Sequence, residues 1–241
     1  MTQETELFDR VMSSRRSIRR FLPTPVDRRV VEDILRVARH APSGSNIQPW
    51  QVTVLAGAPL AELGDAVVAA SREEPEAHEE EWLYYPRTWS EPYLARRRKV
   101  GWDLYGLLGV EKGDREGTRR HFERNYRFFG APVALIFTID RVMERGSWLD
   151  YGMFVQSVML AARARGLDTC AQGAFGKYHR VVSRVLRLPE DRMLVCAMAL
   201  GHADPDAPEN GLRTVRAEVE DFTEFRGFPA AVALPAVPPL D

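Results

Sequence analysis

Two uninterrupted apolar runs, "APVALIFTI" (131–139) and "MLVCAMALG" (193–201), flank a third stretch with no polar face, "DYGMFVQSVMLAARARG" (150–166). A strand that is apolar at every position has no side to show to water, so its sheet must be covered on both faces. The spacing in 150–166 predicts a helix, apolar nearly all round until Arg163 and stopped by Gly166. Such a helix is buried on both sides, as a core helix or as a subunit interface. Strands separated by helices, with no internal repeat and no linker, read as one α/β-type domain. At 241 residues the chain can bury a sizeable core.

The remaining elements follow from shorter patterns. Leu7, Phe8, Val11 and Met12 repeat at helical spacing and predict a helix ending just before a run of arginines. Asp27 is placed to cap a second helix, whose stripe is Val30, Val31, Ile34, Leu35, Val37, Ala38 and Ala41, stopped by Pro42 and Gly44. "WQVTVL" (50–55) is a strand, and "YHRVVSRVLRLPED" a shorter amphipathic helix. Residues 57–124 carry an acidic block, then aromatics, then a basic block; an excursion of that length suits a lid or pocket wall. The stretch from Pro229 is rich in Pro and Ala and reads as extended.

Charge narrows the partners. Lys and Arg number 33 against 34 Asp and Glu, a formal charge of −1, which disfavours duplex DNA or an anionic membrane as a bulk partner. A nucleic-acid-binding role for "RRSIRR" and "RRRK" is the remote alternative. No apolar run reaches the roughly 18 residues of a membrane span. With an acidic, polar start and two cysteines in apolar runs, Cys170 and Cys196, the chain reads as cytoplasmic. His40, His78, His121, His179 and His202 show no ligand spacing, so no metal site is expected. No hydrolytic triad or paired-carboxylate motif stands out either. A chain whose cofactor performs the reaction would look like this.

Two stretches carry candidate chemistry. In "SSRRSIRRF" (13–21), Arg15, Arg16 and the Ser17 hydroxyl follow a helix stop and can converge on one phosphate, although short basic clusters also serve as surface or nucleic-acid patches. In "APSGSNIQPW" (41–50), Ser43 and Ser45 offer hydroxyls, and Asn46 and Gln48 offer carboxamides. That set suits an uncharged partner with alternating donors and acceptors, such as a heterocycle edge or a ribityl chain. An ordinary helix-to-strand turn would use similar residues.

In this order and spacing, "SRRSIRRF" and "APSGSNIQPWQVTVL" resemble the FMN-dependent nitroreductase family. The likeness extends to "AQGAF" (171–175), "MALGHAD" (198–204) and "LRTVRAEVEDFTEFRGF" (212–228), and "RRKVGWDLYGLLGV" with "RNYRFFGAPVALIF" resembles its nitrobenzoate-reductase-like branch. The resemblance implies an α+β, three-layer fold with a central mixed sheet flanked by helices, in an intertwined homodimer. The 150–166 helix would form the dimer core, and the tail from about 218 would lie on the partner. It implies FMN as cofactor and NADH or NADPH as co-substrate, with a small aromatic acceptor (a nitroaromatic or a quinone) reduced in two-electron, ping-pong fashion. Reductive dehalogenation and dehydrogenation or desaturation are the same-fold alternatives.

By the same resemblance, Arg15, Arg16 and Ser17 bind the FMN phosphate, with Arg216 and Arg213 closing on it. Arg19 lies at the flavin N1–C2 edge; Ser43, Ser45, Asn46 and Gln48 reach the flavin from the neighbouring subunit. Gln172 and Gly173 supply the strip whose backbone faces N5. Two positions depart from the family pattern: Gln172 stands where many members have Glu, and Thr214 where many have Lys.

Overall fold

The computed structural model describes residues 2–228. The extended reading of the stretch from Pro229, and the part of the expected partner-wrapping tail beyond Phe228, lie outside those residues. Four strands form the centre: β1 (Gln51–Ala56), β2 (Val133–Asp140), β3 (Asp168–Gln172) and β4 (Arg192–Gly201), in the order β1-β2-β4-β3. All three pairings are antiparallel. Mixed sense enters at one edge, through an isolated parallel bridge from Ser17 to Thr169 of β3.

The continuous apolar runs are explained by two cores, one on each face. Alternate residues of a strand point to opposite sides. In β2, Ala134 and Ile136 join the first core, with Leu63, Val67 and Val68 of helix α3 (Gly57–Glu73) and Val181 and Val182 of α7 (His179–Leu186). Val133, Leu135, Phe137 and Ile139 join the second, with Val31, Ile34 and Ala38 of α2 (Arg28–Ala38) and Tyr151, Phe154 and Val158 of α6 (Arg145–Arg163). The result is three layers, helix on sheet on helix. Gly201 ends β4 where a Cβ would stand 2.7 Å from Pro132 Cδ, so the proline ring packed on that backbone excludes a larger residue.

The Asp27 cap lies where the sequence places it, and Thr2 adds a second that the sequence reading did not name. The Asp27 carboxylate accepts from Arg29 N at 2.7 Å at the start of α2. Helix α1 (Gln3–Ser14) begins at Thr2, whose hydroxyl accepts from Thr5 N, and gives way to extended chain at Arg15.

Residues 57–124 are not one excursion. Their first part is α3, a helix of the core. The longest irregular stretch is 74–92, and it leads into α4 (Tyr93–Leu107) and, after a turn at 108–114, α5 (Arg115–Tyr126). Helix α6 buries one side only within this chain. Its other side leaves Leu149 72% exposed.

Candidate functional site

The arginine run is not helical. After Arg15 the chain runs beside β3: Ser17 bridges Thr169, Ile18 N donates to Thr169 O at 3.1 Å, and Ile18 is fully buried. A helix would have spread the guanidinium groups around its axis. Here Arg15, Arg16, Ser17 and Arg19 line a cavity of about 1490 Å³, closed by α1, by Gln156 and Arg163 of α6 and by Arg213, Thr214 and Arg216. Arg20 leaves the cluster and lies 3.9 Å from Asp204, a surface pair.

The cavity concentrates positive charge without neutralising it. Arg15 is held below the usual guanidinium range by burial and then by Arg216; Arg16 by burial and then by Arg213. Among the described residues, none of these four guanidinium groups has a carboxylate at salt-bridge distance. Glu4 and Glu6 line the cavity without pairing to them. Four converging cations that repel one another are an anion site, and guanidinium forks match the geometry of a phosphate.

Asn210, which the sequence did not single out, holds the arginine loop in place. Its backbone oxygen accepts from Arg16 Nη1 at 2.6 Å, and its Oδ1 accepts from Arg19 N at 2.8 Å. Its Nδ2 donates to Arg20 O at 2.8 Å and Asp204 O at 2.9 Å. Beside it, Arg124 donates to Arg19 O at 2.9 Å and to the buried Glu209 carboxylate at 2.5 Å.

Three residues along β3 from Thr169, about 10 Å at a strand's rise, stand Gln172 and Gly173. Gln172 is buried. Its Nε2 donates to Asn125 O and Asn125 Oδ1, each at 2.7 Å, while its Oε1 is buried without a partner. A carboxylate here would face the Asn125 backbone oxygen with no proton to give. A Cβ on Gly173 would meet the Tyr84 ring at 3.3 Å. Tyr84 therefore roofs this end of β3.

The 43–48 segment is not brought to the cavity within one chain. Ser45, Asn46 and Gln48 all have positive φ, at 51°, 57° and 49°. Left-handed backbone at three non-glycine residues costs free energy and is characteristic of functional loops. The segment is tied down locally, Gln48 N donating to Ser43 Oγ at 3.0 Å and Gly44 N to Asp150 Oδ2 of α6 at 3.1 Å. The side chains of Ser45, Asn46 and Gln48 are left exposed.

The irregular stretch 74–92 is pinned across the sheet. Trp82 Nε1 donates to Leu194 O at 2.8 Å, beside the bulge where the β2–β4 register shifts, and Trp82 packs edge-on to Trp148 of α6 at 4.5 Å. Within 57–124, the stretch around Trp82 is thus irregular in backbone but anchored to β4 and α6.

Residues 12–202 match the model of the nitroreductase family. The chain is 43% identical over 224 residues to a 4-nitrobenzoate reductase of Pseudomonas putida, covering 93% of this chain and 97% of that one. It is 44% identical over 217 residues to a chloronitrobenzene nitroreductase of Comamonas testosteroni, covering 90% and 96%. Among solved structures, the FMN and NADPH-dependent nitroreductase NfnB from Sphigopyxis sp. strain HMH superposes with a TM-score of 0.89 at 38% identity, covering 92% of this chain and 99% of that one.

Proposed function

The chain belongs to the nitroreductase family, and on that premise we propose that it is an FMN-dependent NAD(P)H oxidoreductase that reduces nitroaromatic or quinone-like acceptors in two-electron, ping-pong fashion. The observation that carries the reading is the cluster of Arg15, Arg16, Arg213 and Arg216, unpaired and mutually repelling around one cavity. That cluster fits a phosphate, and the unpartnered Oε1 of Gln172 fits a polar ligand edge at the other end of the same strand.

In this reading Arg15, Arg16, Ser17, Arg213 and Arg216 hold the FMN phosphate. Arg19 offers its charge to the pyrimidine edge, where it would stabilise the anionic reduced ring. The backbone at Gln172 and Gly173 meets the N5 edge. When bound, FMN supplies the redox chemistry, taking two electrons from NAD(P)H and giving them to the acceptor. The protein's own residues bind and orient. Asn125 holds the Gln172 amide in one orientation, and Tyr84 limits the space above Gly173.

A homodimer completes the site. Three surfaces support it: α1 buries none of its own residues and leaves Phe8 57% exposed, α6 leaves Leu149 exposed, and the chain beyond 218 presents Phe222, Phe225 and Phe228 to solvent. Ser43, with Ser45, Asn46 and Gln48 strained and exposed beside it, then belongs to the segment that one protomer offers to the cofactor of its partner. A cytoplasmic location belongs to the same reading. Cys170 and Cys196 are unpaired, and burial pushes their thiols up to about 11 and about 12. No helix among the described residues is long and apolar enough to cross a membrane.

The test is the visible spectrum of the purified protein, followed by anaerobic NADH or NADPH. A yellow protein that bleaches with a dinucleotide and recovers its colour on adding a nitroarene is the expected result. A protein that stays colourless after incubation with FMN overturns the reading.

A further inference from the structure

We propose that Arg124 and Glu209 are positioning residues for the flavin chemistry: as an ion pair they hold Arg19 in place, and through Arg19 they favour reduced over oxidised FMN. The proposal rests on the nitroreductase reading and names residues that tune the cofactor without touching it.

Arg19 is gripped on both sides of its backbone. Its N–H donates to Asn210 Oδ1 at 2.8 Å, and its carbonyl accepts from Arg124 Nη2 at 2.9 Å. The same Nη2 donates to the Glu209 carboxylate at 2.5 Å, so one nitrogen ties Glu209 to Arg19. Glu209 and Asn210 are consecutive residues of the Pro208–Gly211 turn. That turn therefore reaches both peptide groups of Arg19, once directly and once through Arg124 of α5. The Glu209 carboxylate is taken by Arg124 and not by Arg19, whose side chain lines the cavity with Nη1 donating back to Ser17 O at 3.3 Å.

Packing alone does not call for such a pair. The Glu209 side chain is 4% exposed and that of Arg124 is 31% exposed. Taking a carboxylate and a guanidinium out of water is costly, and apolar side chains of similar volume often stabilise a fold as well or better. What apolar side chains cannot supply is a donor to Arg19 O. The pair also adds no net charge beside a cavity where Arg15 and Arg216, and Arg16 and Arg213, already repel one another. A lone cation behind Arg19 would add to that repulsion; one neutralised by Glu209 holds the loop without it. A charge that meets a developing anion works through its placement, and placement is kept by the residues behind it.

The experiment measures the Kd of oxidised FMN and, anaerobically, of reduced FMN, and takes the preference for the reduced form as their ratio. The midpoint potential of the bound flavin reads the same quantity, tenfold being about 30 mV for a two-electron couple. Arg124→Met/Glu209→Met removes both charges together, so Tm should stay within a few degrees of wild type while the preference falls about tenfold. Arg19→Met should lower it by at least as much. Adding the double change to Arg19→Met should then do nothing more, because the pair acts through Arg19. Should the double variant not fold, Arg124→Gln replaces it: the amide is too short to serve both Glu209 and Arg19 O, and the preference should again fall tenfold, but not in the Arg19→Met background. A preference that these changes leave unaltered, with both forms of FMN weakened equally or not at all, overturns the proposal and makes the pair scaffold. A fall that persists in the Arg19→Met background also overturns it, by assigning the effect to the field of the pair itself. A wild-type chain that binds neither form of FMN removes the nitroreductase reading, and this proposal with it.

Discussion

Arg19 and Asn210 meet across 191 positions of sequence, the Arg19 backbone N–H donating to Asn210 Oδ1 at 2.8 Å. The same side chain satisfies the carbonyls of Arg20 and Asp204. The arginine loop is thus held by a residue that is not itself cationic. Asn210→Ala should strand the Arg19 N–H, while the Arg20 and Asp204 carbonyls keep Asp204 N and Ala207 N as donors; a loss of about 1–2 kcal/mol should lower Tm by roughly 3–6 °C. It should also weaken FMN binding about tenfold at temperatures far below the melt, because the Arg19 backbone loses its anchor while the Arg16 bond to the carbonyl of residue 210 is kept. A fluorescence titration with FMN checks this. Unchanged affinity with a lowered Tm would make Asn210 scaffold alone.

Arg15→Glu separates stability from binding. Arg15 is partly buried beside Arg216 and has no carboxylate of its own, so a negative charge there relieves repulsion. The FMN-free protein should melt at the same temperature or higher, while affinity for FMN falls by roughly a hundredfold or more through the lost charge-assisted bonds and the reversed charge. Absorbance after gel filtration reads the retained flavin. Full occupancy in this variant would remove the phosphate assignment.

What could be read in the sequence was what is local. The strands announce themselves because burial on both faces leaves β2 apolar from Val133 to Phe137 and β4 apolar after Arg192, and Asp27 caps α2 two residues from the N–H it binds. Helix α3 was hidden because its stripe is diluted by alanine, with only Leu63, Val67 and Val68 as large buried anchors. The order in the lid comes from Trp82 binding a carbonyl 112 positions away, and the orientation of Gln172 from Asn125, 47 positions away. Neither pairing has a periodic signature. Asn210 sits in a Pro-Glu-Asn-Gly turn, where an asparagine is ordinary by composition. The 43–48 segment was legible by residue type, but one chain alone does not bring it to the cavity.

Trp82 pins the 74–92 stretch to the sheet. Trp82→Phe keeps the ring against Trp148 and removes the donor to Leu194 O, a loss of about 1 kcal/mol. FMN affinity should hold, since no residue lining the phosphate cavity touches Trp82. The KM for the nitroarene should rise several-fold, because Tyr84 and Tyr85 are carried by the same strip. Steady-state kinetics on the flavin-loaded variant decide it. A matching loss of flavin would make the strip structural rather than a wall of the acceptor site.

Acid should loosen the protein through His121 before it breaks the neighbouring ion pair. His121 lies on α5 among Tyr105, Phe122 and Phe129; burial, then the Arg19 and Arg124 charges, lower its pKa to about 4, the nearby Glu209 carboxylate opposing them. In the unfolded chain the imidazole titrates near 6.5. Between these two values the unfolded state takes up a proton that the folded state refuses, so stability falls as pH drops from about 6.5 to about 4. Glu209 behaves differently. Burial alone would raise its carboxyl, but the Arg124 hydrogen bond prevails and holds it below the usual range, so its contribution is lost only as pH falls through that lowered value. The decline through the His121 window is bounded by one proton, about 1.4 kcal/mol per pH unit, or up to about 4 °C in Tm. Melting curves from pH 7 to pH 4.5 should show that slope in the wild type and a shallower one in His121→Gln, which has nothing to protonate there. Parallel slopes in the two proteins would move the acid sensitivity to another group.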